Sequence, residues 1–329
     1  MRILRNIQVP TGNIMIGNGE KGNLEFLSIG DYGKEVNLKC DALGLDKDIE
    51  QVKHTEILPL TKKWVITISS QYGCSMGCLF CDVPKVGAGL NATLKDLEDQ
   101  VATAMTLHPE ITYSERLNIH YARMGEPTFN NNVLNSAITL YDKYNKDFLV
   151  HPVVSTMMPR HNSGLEGFIH AWIAIKNIRY SGNAGLQLSI NSTNEYEREA
   201  MFNGNALTLE EIAGIMQAYK PIGRKFTLNF AVADFSVDAE LLRKFFNPKH
   251  FIIKLTPMHK TTTALENGIE TFGDYTTMYP YKQLEEDLKA VGFDVLVFIA
   301  SEAEDLGMIT CGNAILTGKL PQVPYKEIE

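Results

Sequence analysis

Three thiols fall within eight residues of one another. Cys74, Cys78 and Cys81 stand as C-x3-C-x2-C in the run Ser70-Gln71-Tyr72-Gly73-Cys74-Ser75-Met76-Gly77-Cys78-Leu79-Phe80-Cys81. Disulfide pairing would leave one of them out and strain so short a loop. Three thiolates delivered from one loop can instead hold three irons of a four-iron, four-sulfur cluster, and the fourth iron then lacks a protein ligand and is open to chemistry. A zinc site is the structural alternative, but tetrahedral zinc wants a fourth ligand, and no nearby histidine or cysteine stands at finger-like spacing. Gly73 and Gly77 let the backbone wrap closely around a bound group, and Phe80 would shield it. The other two of the five cysteines, Cys40 and Cys311, are isolated. This is metal-ligand usage of a reducing compartment.

A site of this kind needs a scaffold, and the apolar pattern supplies one. Short apolar runs at 64–68, 117–121, 148–154, 186–190, 226–232 and 251–255, with a further candidate at 295–299, alternate with helical periods at 94–107, 133–144, 165–175, 209–219, 239–246 and 281–291. Strand and helix alternating about six times implies parallel pairing with right-handed crossovers, in a barrel or an open doubly wound sheet. The cysteine run follows the first of these strands, at the end where α/β folds assemble their sites. The first fifty residues read differently. Strand-like runs at 24–29 and 34–38 flank the turn-rich Gly30-Asp31-Tyr32-Gly33, so residues 1–60 are expected to form a small β-hairpin appendage and residues 61–329 the main unit. The polar, Gly- and Thr-rich stretch 261–280 is expected to be a long loop on the site's edge.

Composition narrows the function classes. The chain has 329 residues, 44% hydrophobic and 21% charged, which is ordinary for a soluble globular protein. No stretch has the length needed to cross a bilayer, and Met1-Arg2-Ile3-Leu4-Arg5 does not open a signal peptide, so a cytoplasmic protein is expected. Its 31 basic against 39 acidic side chains give a net charge of −8, which argues against binding nucleic acid by global electrostatics. Basic residues do gather locally between Arg224 and Lys260.

The triple-cysteine motif resembles the signature of the radical S-adenosylmethionine (radical SAM) superfamily. That resemblance implies an α/β fold with a partial (βα)6 TIM-like barrel. It also implies one four-iron, four-sulfur cluster at Cys74, Cys78 and Cys81, whose open iron chelates SAM. Reduction by an external one-electron donor such as flavodoxin or ferredoxin would then release a 5′-deoxyadenosyl radical. In such systems the cofactor carries the hard chemistry and the protein positions it.

A narrower resemblance covers most of the chain from about residue 20 onward. Ser69-Ser70-Gln71-Tyr72-Gly73-Cys74, then Gly87, Asn91, Thr93 and Gln100-Val101, are similar to the family of 23S rRNA and tRNA adenine carbon-2 methyltransferases and their carbon-8-methylating resistance relatives. Met124-Gly125-Glu126-Pro127 with Asn130 resembles that family's Gly-Glu-Pro segment, which implies that Gly125 and Glu126 contact SAM. A carboxylate there can accept charge-assisted hydrogen bonds from the SAM ammonium. The same resemblance assigns SAM contacts to Ser155, to Ser189 and Asn191, and to His259, which stands where the family has an asparagine. Cys311-Gly312 resembles the family's methyl-carrying cysteine. In that mechanism a thiolate takes a methyl group from one SAM, and a second SAM supplies the radical that activates it. The structural alternative for Cys311 is a small buried apolar residue.

Two departures accompany the likeness. The family's resolving cysteine, seven residues before the first cluster cysteine, is Thr67 here, and a hydroxyl cannot displace sulfur as a thiol does. Cys40 would substitute only if the appendage brought it close. The family's glutamate before the first barrel strand aligns with His54, with Glu56 two residues on. Either can serve as a base, and either can equally be a solvent-facing residue. The family's ribosomal members also carry a helical domain ahead of this region, and with the acidic charge that difference weighs against ribosomal RNA as substrate.

The leading expectation is thus a methyl synthase type of radical SAM methyltransferase. It would use two SAM molecules and Cys311 to methylate an unactivated carbon, of an adenine-like base in RNA or a nucleotide. The alternatives are a radical SAM enzyme that abstracts hydrogen directly from a small molecule, nucleotide or peptide, and a non-enzymatic protein that keeps the cluster as a staple.

Overall fold

In the computed structural model, residues 1–30, 57–269, 281–298 and 302–328 are described. The centre is a run of seven parallel strands: β4 (Trp64–Ile68), β7 (Ser114–Tyr121), β8 (Phe148–Thr156), β9 (Gly185–Ser189), β10 (Phe226–Val232), β11 (Phe251–Pro257) and β12 (Asp294–Val297). They lie side by side in sequence order. Such order means that every crossover steps the same way, as in a barrel and unlike a doubly wound sheet. The sheet nevertheless does not close. β12 ends one edge of an open sheet of eleven strands, so the α/β fold with a mostly parallel sheet is present and the parallel strands form no closed ring.

Period-2 alternation decides what each face does. Trp64, Ile66 and Ile68, Leu117, Ile119 and Tyr121, Leu186 and Leu188, and Phe226, Leu228 and Phe230 point one way and are buried in a single apolar core. Helical residues fill the other half of that core, among them Leu97, Val101, Leu140, Trp172 and Ile212. They come from the helices Leu94–Thr106, Asn132–Tyr144, Leu165–Ala174 and Leu209–Met216, close to where the 3.6-residue period places them. The opposite face carries Thr67, Arg116, Asn118, His120, His151, Ser155, Gln187, Ser189, Asn229 and Lys254, a polar surface on an otherwise conventional α/β sheet.

The N-terminal region is more extensive than a hairpin. β1 (Arg2–Val9), β2 (Gly12–Gly19) and β3 (Gly22–Gly30) form an antiparallel meander, and β3 pairs antiparallel with β4, so the meander continues the main sheet. β13 (Lys326–Glu327) closes the far edge on β1. The run 24–29 is part of β3, while its expected partner at 34–38 lies outside the described residues. The first two strands escape a simple alternation pattern for physical reasons. β1 carries a register shift between Ile3 and Arg5, and both strands bury an asparagine, Asn13 donating to Asn6 Oδ1 at 2.8 Å. Within the stretch expected to be a loop, Thr262–Glu266 is a short helix capped by Thr261, and 270–280 lies outside the described residues.

Local capping fixes the helix that follows the cysteine loop. Thr93 and Asp96 form a reciprocal capping box, and Asp96 also accepts from the Tyr72 hydroxyl (2.7 Å) and the Glu20 N–H (3.0 Å). One turn on, buried Gln100 accepts from Ser69 N–H (2.9 Å) and donates to Ser69 O (3.0 Å). Replacing Gln100 by Ala strands both backbone groups, and a loss of about 1–3 kcal/mol in chemical denaturation is expected. An unchanged midpoint would show that water satisfies them.

Candidate functional site

The cysteine loop is built between two short strands, β5 (Gln71–Gly73) and β6 (Ala88–Asn91), which pair antiparallel. Gly73 has φ +81°, and a Cβ there would stand 2.2 Å from Gly87 O, so only glycine lets the strands meet. Cys74 N–H donates to Gly87 O at 3.0 Å as the chain leaves β5. Other elements then cradle the loop. Leu79 N–H donates to Met201 O (2.9 Å) and Asn205 donates to Met76 O (2.8 Å). Thr261 donates to Phe80 O (2.9 Å), and Asp82 accepts from Thr262 and Thr263.

All three thiols are half-buried. Burial pushes the Cys74 thiol up to about 11 and raises those of Cys78 and Cys81, with the neighbouring thiols adding to the effect. Three such groups left as anions call for a strong cationic partner. Among the described residues, no three Cys, His, Asp or Glu side chains converge as ligands of a single ion would. Three thiolates from one loop can each serve a different iron of a cluster, and no fourth protein ligand is then needed.

The Gly125-Glu126 segment is fastened directly to this loop. Ser70 and Gln71 N–H donate to Met124 O, Gln71 Oε1 accepts from Glu126 N–H (2.9 Å), and Asn130 donates to Ser70 O and Ala92 O. Gln71 also donates to Asn91 Oδ1 (2.8 Å), whose amide donates to Phe129 O (2.7 Å). Gly125 has φ +94°, and a Cβ would come within 2.5 Å of Gln71. Glu126 itself is buried. Its Oε1 accepts from Thr128 N–H (3.1 Å) and hydroxyl (2.8 Å), and its Oε2 from Met157 N–H (3.0 Å). Burial raises its carboxyl, and the hydrogen bonds from Thr156, Met157 and Thr128 work against that rise.

Ser155 and Ser189 lie half-buried on the polar face, at the C-terminal ends of β8 and β9. Asn191 follows with φ +61°, buried, its Oδ1 accepting from Ala231 N–H at 3.0 Å. Arg198, from the helix Glu195–Met201, donates to Ile190 O and to Leu207 O (2.9 Å) and so holds this turn. His259 follows β11, its Nδ1 3.5 Å from Asp305 Oδ1 but buried without a hydrogen bond. Burial lowers its pKa, and Asp305 opposes the shift. Asn229, in register with Ser189, likewise has a buried Oδ1 with no partner. Orphaned buried polar atoms of this kind fit a polar ligand. His54 and Glu56 lie outside the described residues, as does Cys40.

Cys311 arrives at the same place from the other end of the chain. Asp82 N–H donates to Gly312 O at 2.9 Å, and Gly312 O is 3.9 Å from Cys81 Sγ. The Cys311 thiol lies 3.5 Å from Ala122 O and is exposed to solvent, although surrounding protein raises its pKa while Lys254 and Arg123 pull it back. A buried ion pair anchors the loop. Arg123 donates to Glu25 Oε1, to Met308 O (2.8 Å) and to Thr310 O (3.1 Å), and Glu25 accepts from Ile315 and Leu316 N–H. Glu25, Arg123, Arg198 and Asn229 were not singled out from the sequence as site residues. Only Arg198 carried a readable signal: Asn194 caps a helix whose first turn holds Glu195 and Glu197.

No protein-family model matches the chain. The dual-specificity RNA methyltransferase RlmN of Campylobacter hominis is 30% identical over 161 residues, 48% of this chain and 41% of that protein. RlmN of Sorangium cellulosum is 25% identical over 267 residues, 78% of this chain and 62% of its own length. By sequence, the chain is similar to RlmN proteins over much of its length. It spans less than two thirds of the length of these RlmN proteins. A radical SAM methyltransferase from Sphaerobacter thermophilus superposes with a TM-score of 0.64 at 19% identity, over 94% of this chain and 80% of that one, and shares its fold.

The Glu25–Arg123 pair gives a sharp test of how the Cys311 loop is anchored, because both side chains are almost wholly buried. Arg123→Met leaves Glu25 uncompensated and is expected to cost about 3–5 kcal/mol in denaturant unfolding. The double variant Arg123→Met with Glu25→Leu is expected to recover much of that loss. Equal destabilisation of the single and double variants would mean that the pair's backbone contacts, not its charge balance, are what matter.

Proposed function

We propose that the protein is a radical SAM methyltransferase of the methyl synthase type, with Cys311 as the methyl carrier. The observation that carries this reading is the seating of the Cys311-Gly312 turn on the cysteine loop through Asp82. In this reading residues 61–329 form the catalytic unit, a partial barrel, and residues 1–60 its appendage. Cys74, Cys78 and Cys81 hold the cluster. When bound, the cluster and SAM supply the hydrogen-abstracting radical that activates an S-methyl group.

The chain's own residues do the rest. Glu126 presents a fixed carboxylate to the SAM ammonium, while Gly125, Ser155, Ser189, Asn191 and His259 line the same pocket. The exposed Cys311 thiol, as thiolate, attacks the methyl carbon of SAM, and S-adenosylhomocysteine leaves. Lys254 and Arg123 favour that thiolate. The acceptor would be an unactivated ring carbon, in an adenine-like base of RNA or of a nucleotide, and His54 or Glu56 would remove its proton. An external flavodoxin or ferredoxin would supply electrons, and a cytoplasmic setting suits both partners. No helix among the described residues is long and apolar enough to cross a membrane.

A second reading rests on Thr67. It stands on the polar face opposite His120, where the family pattern has a thiol that releases the product. Without that thiol, direct hydrogen abstraction from the substrate is the simpler chemistry.

Peptide mass spectrometry after anaerobic reconstitution with iron, sulfide and methyl-labelled SAM separates the two. A labelled one-carbon unit on the Cys311 peptide, and loss of methylated product in Cys311→Ala, are expected. Turnover retained in Cys311→Ala would instead establish direct abstraction.

A further inference from the structure

We infer that Asp82, the residue after the third cysteine of the loop, is a positioning residue for Cys311: its carboxylate locks the junction that sets the Cys311 turn against the cysteine loop. The inference rests on the proposed role of Cys311 as methyl carrier and deepens it, because it concerns how the carrier is brought to the radical source.

Asp82 faces two ways. Its backbone N–H donates to Gly312 O at 2.9 Å, and that same oxygen is 3.9 Å from Cys81 Sγ. Its side chain, 1% exposed, turns instead to the segment that follows β11. Oδ1 accepts from Thr263 N–H (2.9 Å) and hydroxyl (2.6 Å), and Oδ2 accepts from Thr262 N–H (3.1 Å). Those two amides open the short helix Thr262–Glu266, where backbone donors have no partner within the helix. Helix capping would account for the carboxylate alone. It does not account for the neighbours that the capped segment keeps.

The start of that helix also packs on the carrier turn and on the cysteine loop. Thr261 donates through its hydroxyl to Phe80 O (2.9 Å), and Asn267 donates to Leu79 O (3.0 Å). Gly312 has φ +88°, and a Cβ there would meet Thr261 Cγ2 at 3.1 Å and Phe80 O at 3.3 Å. Residues 79–82, residues 261–267 and Gly312 thus form a three-way junction, and Asp82 hydrogen-bonds to both of the other two parts. Lys85 adds an exposed strut, its Nζ 2.9 Å from Glu266 Oε2 and 3.6 Å from Asp82 Oδ1.

The path from a cluster ligand to the carrier is short. One peptide link joins Cys81 to Asp82, one hydrogen bond joins Asp82 to Gly312, and one peptide link joins Gly312 to Cys311. So few rotatable bonds hold the two sulfurs in a fixed relation, provided that Asp82 itself cannot turn. Three hydrogen bonds to a buried carboxylate supply that condition. Fixed placement matters because a reacting group displaced by about 1 Å can lose about a hundredfold in rate.

Asp82→Asn tests this, since the amide keeps the shape and the backbone N–H but sets an NH2 group against at least one of the three donors. The first measurement is hydrogen exchange of the full chain by mass spectrometry, with and without the reconstituted cluster. In Asp82→Asn the amides of 309–314 are expected to exchange about tenfold faster, although the altered side chain touches only Thr262 and Thr263. The second measurement uses trideuteromethyl SAM and a one-electron reductant. It reads deuterium moved from the carbon on Cys311 sulfur to the 5′ carbon of 5′-deoxyadenosine, per 5′-deoxyadenosine formed. That ratio is expected to fall about tenfold in Asp82→Asn. Thr263→Val, which removes the hydroxyl bond alone, is expected to lower it by less, and it carries both measurements should Asp82→Asn fail to fold. Faster exchange confined to 261–266, or an unchanged deuterium ratio in both variants, would reduce Asp82 to a helix cap and overturn the inference. Methyl label on wild-type Cys311 is scored separately. Its absence would sink the carrier role, while exchange at 309–314 would still decide whether Asp82 positions the turn.

Discussion

One buried ion pair holds the candidate site together. Glu25 belongs to the N-terminal meander, Arg123 follows the second parallel strand, and the carbonyls and amides they bind belong to the segment around Cys311. Three stretches that are distant in sequence thus meet at one charge pair. Such pairs add little net stability compared with an apolar substitute, yet they specify geometry strongly, because any other arrangement leaves a charge bare in the core. Arg123 is also continuous with Met124-Gly125-Glu126. The residue that fastens the Cys311 loop is therefore next in the chain to the carbonyl that accepts from Ser70 and Gln71.

The amide side chains of Gln71, Asn91, Gln100 and Asn130 do a related job with neutral groups. Each bonds backbone or another amide across the loops 69–74, 87–93 and 124–130. These are residues on which the family likeness was drawn. Their structural work is to keep the cysteine loop and the Gly-Glu-Pro turn in one fixed relation, which explains why the motif extends well beyond the groups able to touch a ligand.

Much of this was legible in the sequence. The parallel strands declared themselves because one face of each is continuously apolar, as in β4, β7 and β10, and the helices between them kept a 3.6-residue period. The meander did not, since buried Asn6 and Asn13 and the shift in β1 blur its alternation. The cysteine loop and Glu126 were found from motif order, and Cys311 from resemblance alone. The Glu25–Arg123 pair left no local trace, because its meaning lies in a contact across 98 residues. The choice between a barrel and an open sheet was left undecided there: local pattern sets the winding of a sheet, whereas closure depends on whether the last strand finds the first.

The manner in which Glu126 is held has a consequence for recognition. With Thr128, Thr156 and Met157 all donating to it, the carboxylate has given up its torsional freedom during folding. A cation that reaches such a carboxylate loses no affinity to ordering the acceptor. A carboxylate fixed in this way discriminates by angle of approach as well as by charge.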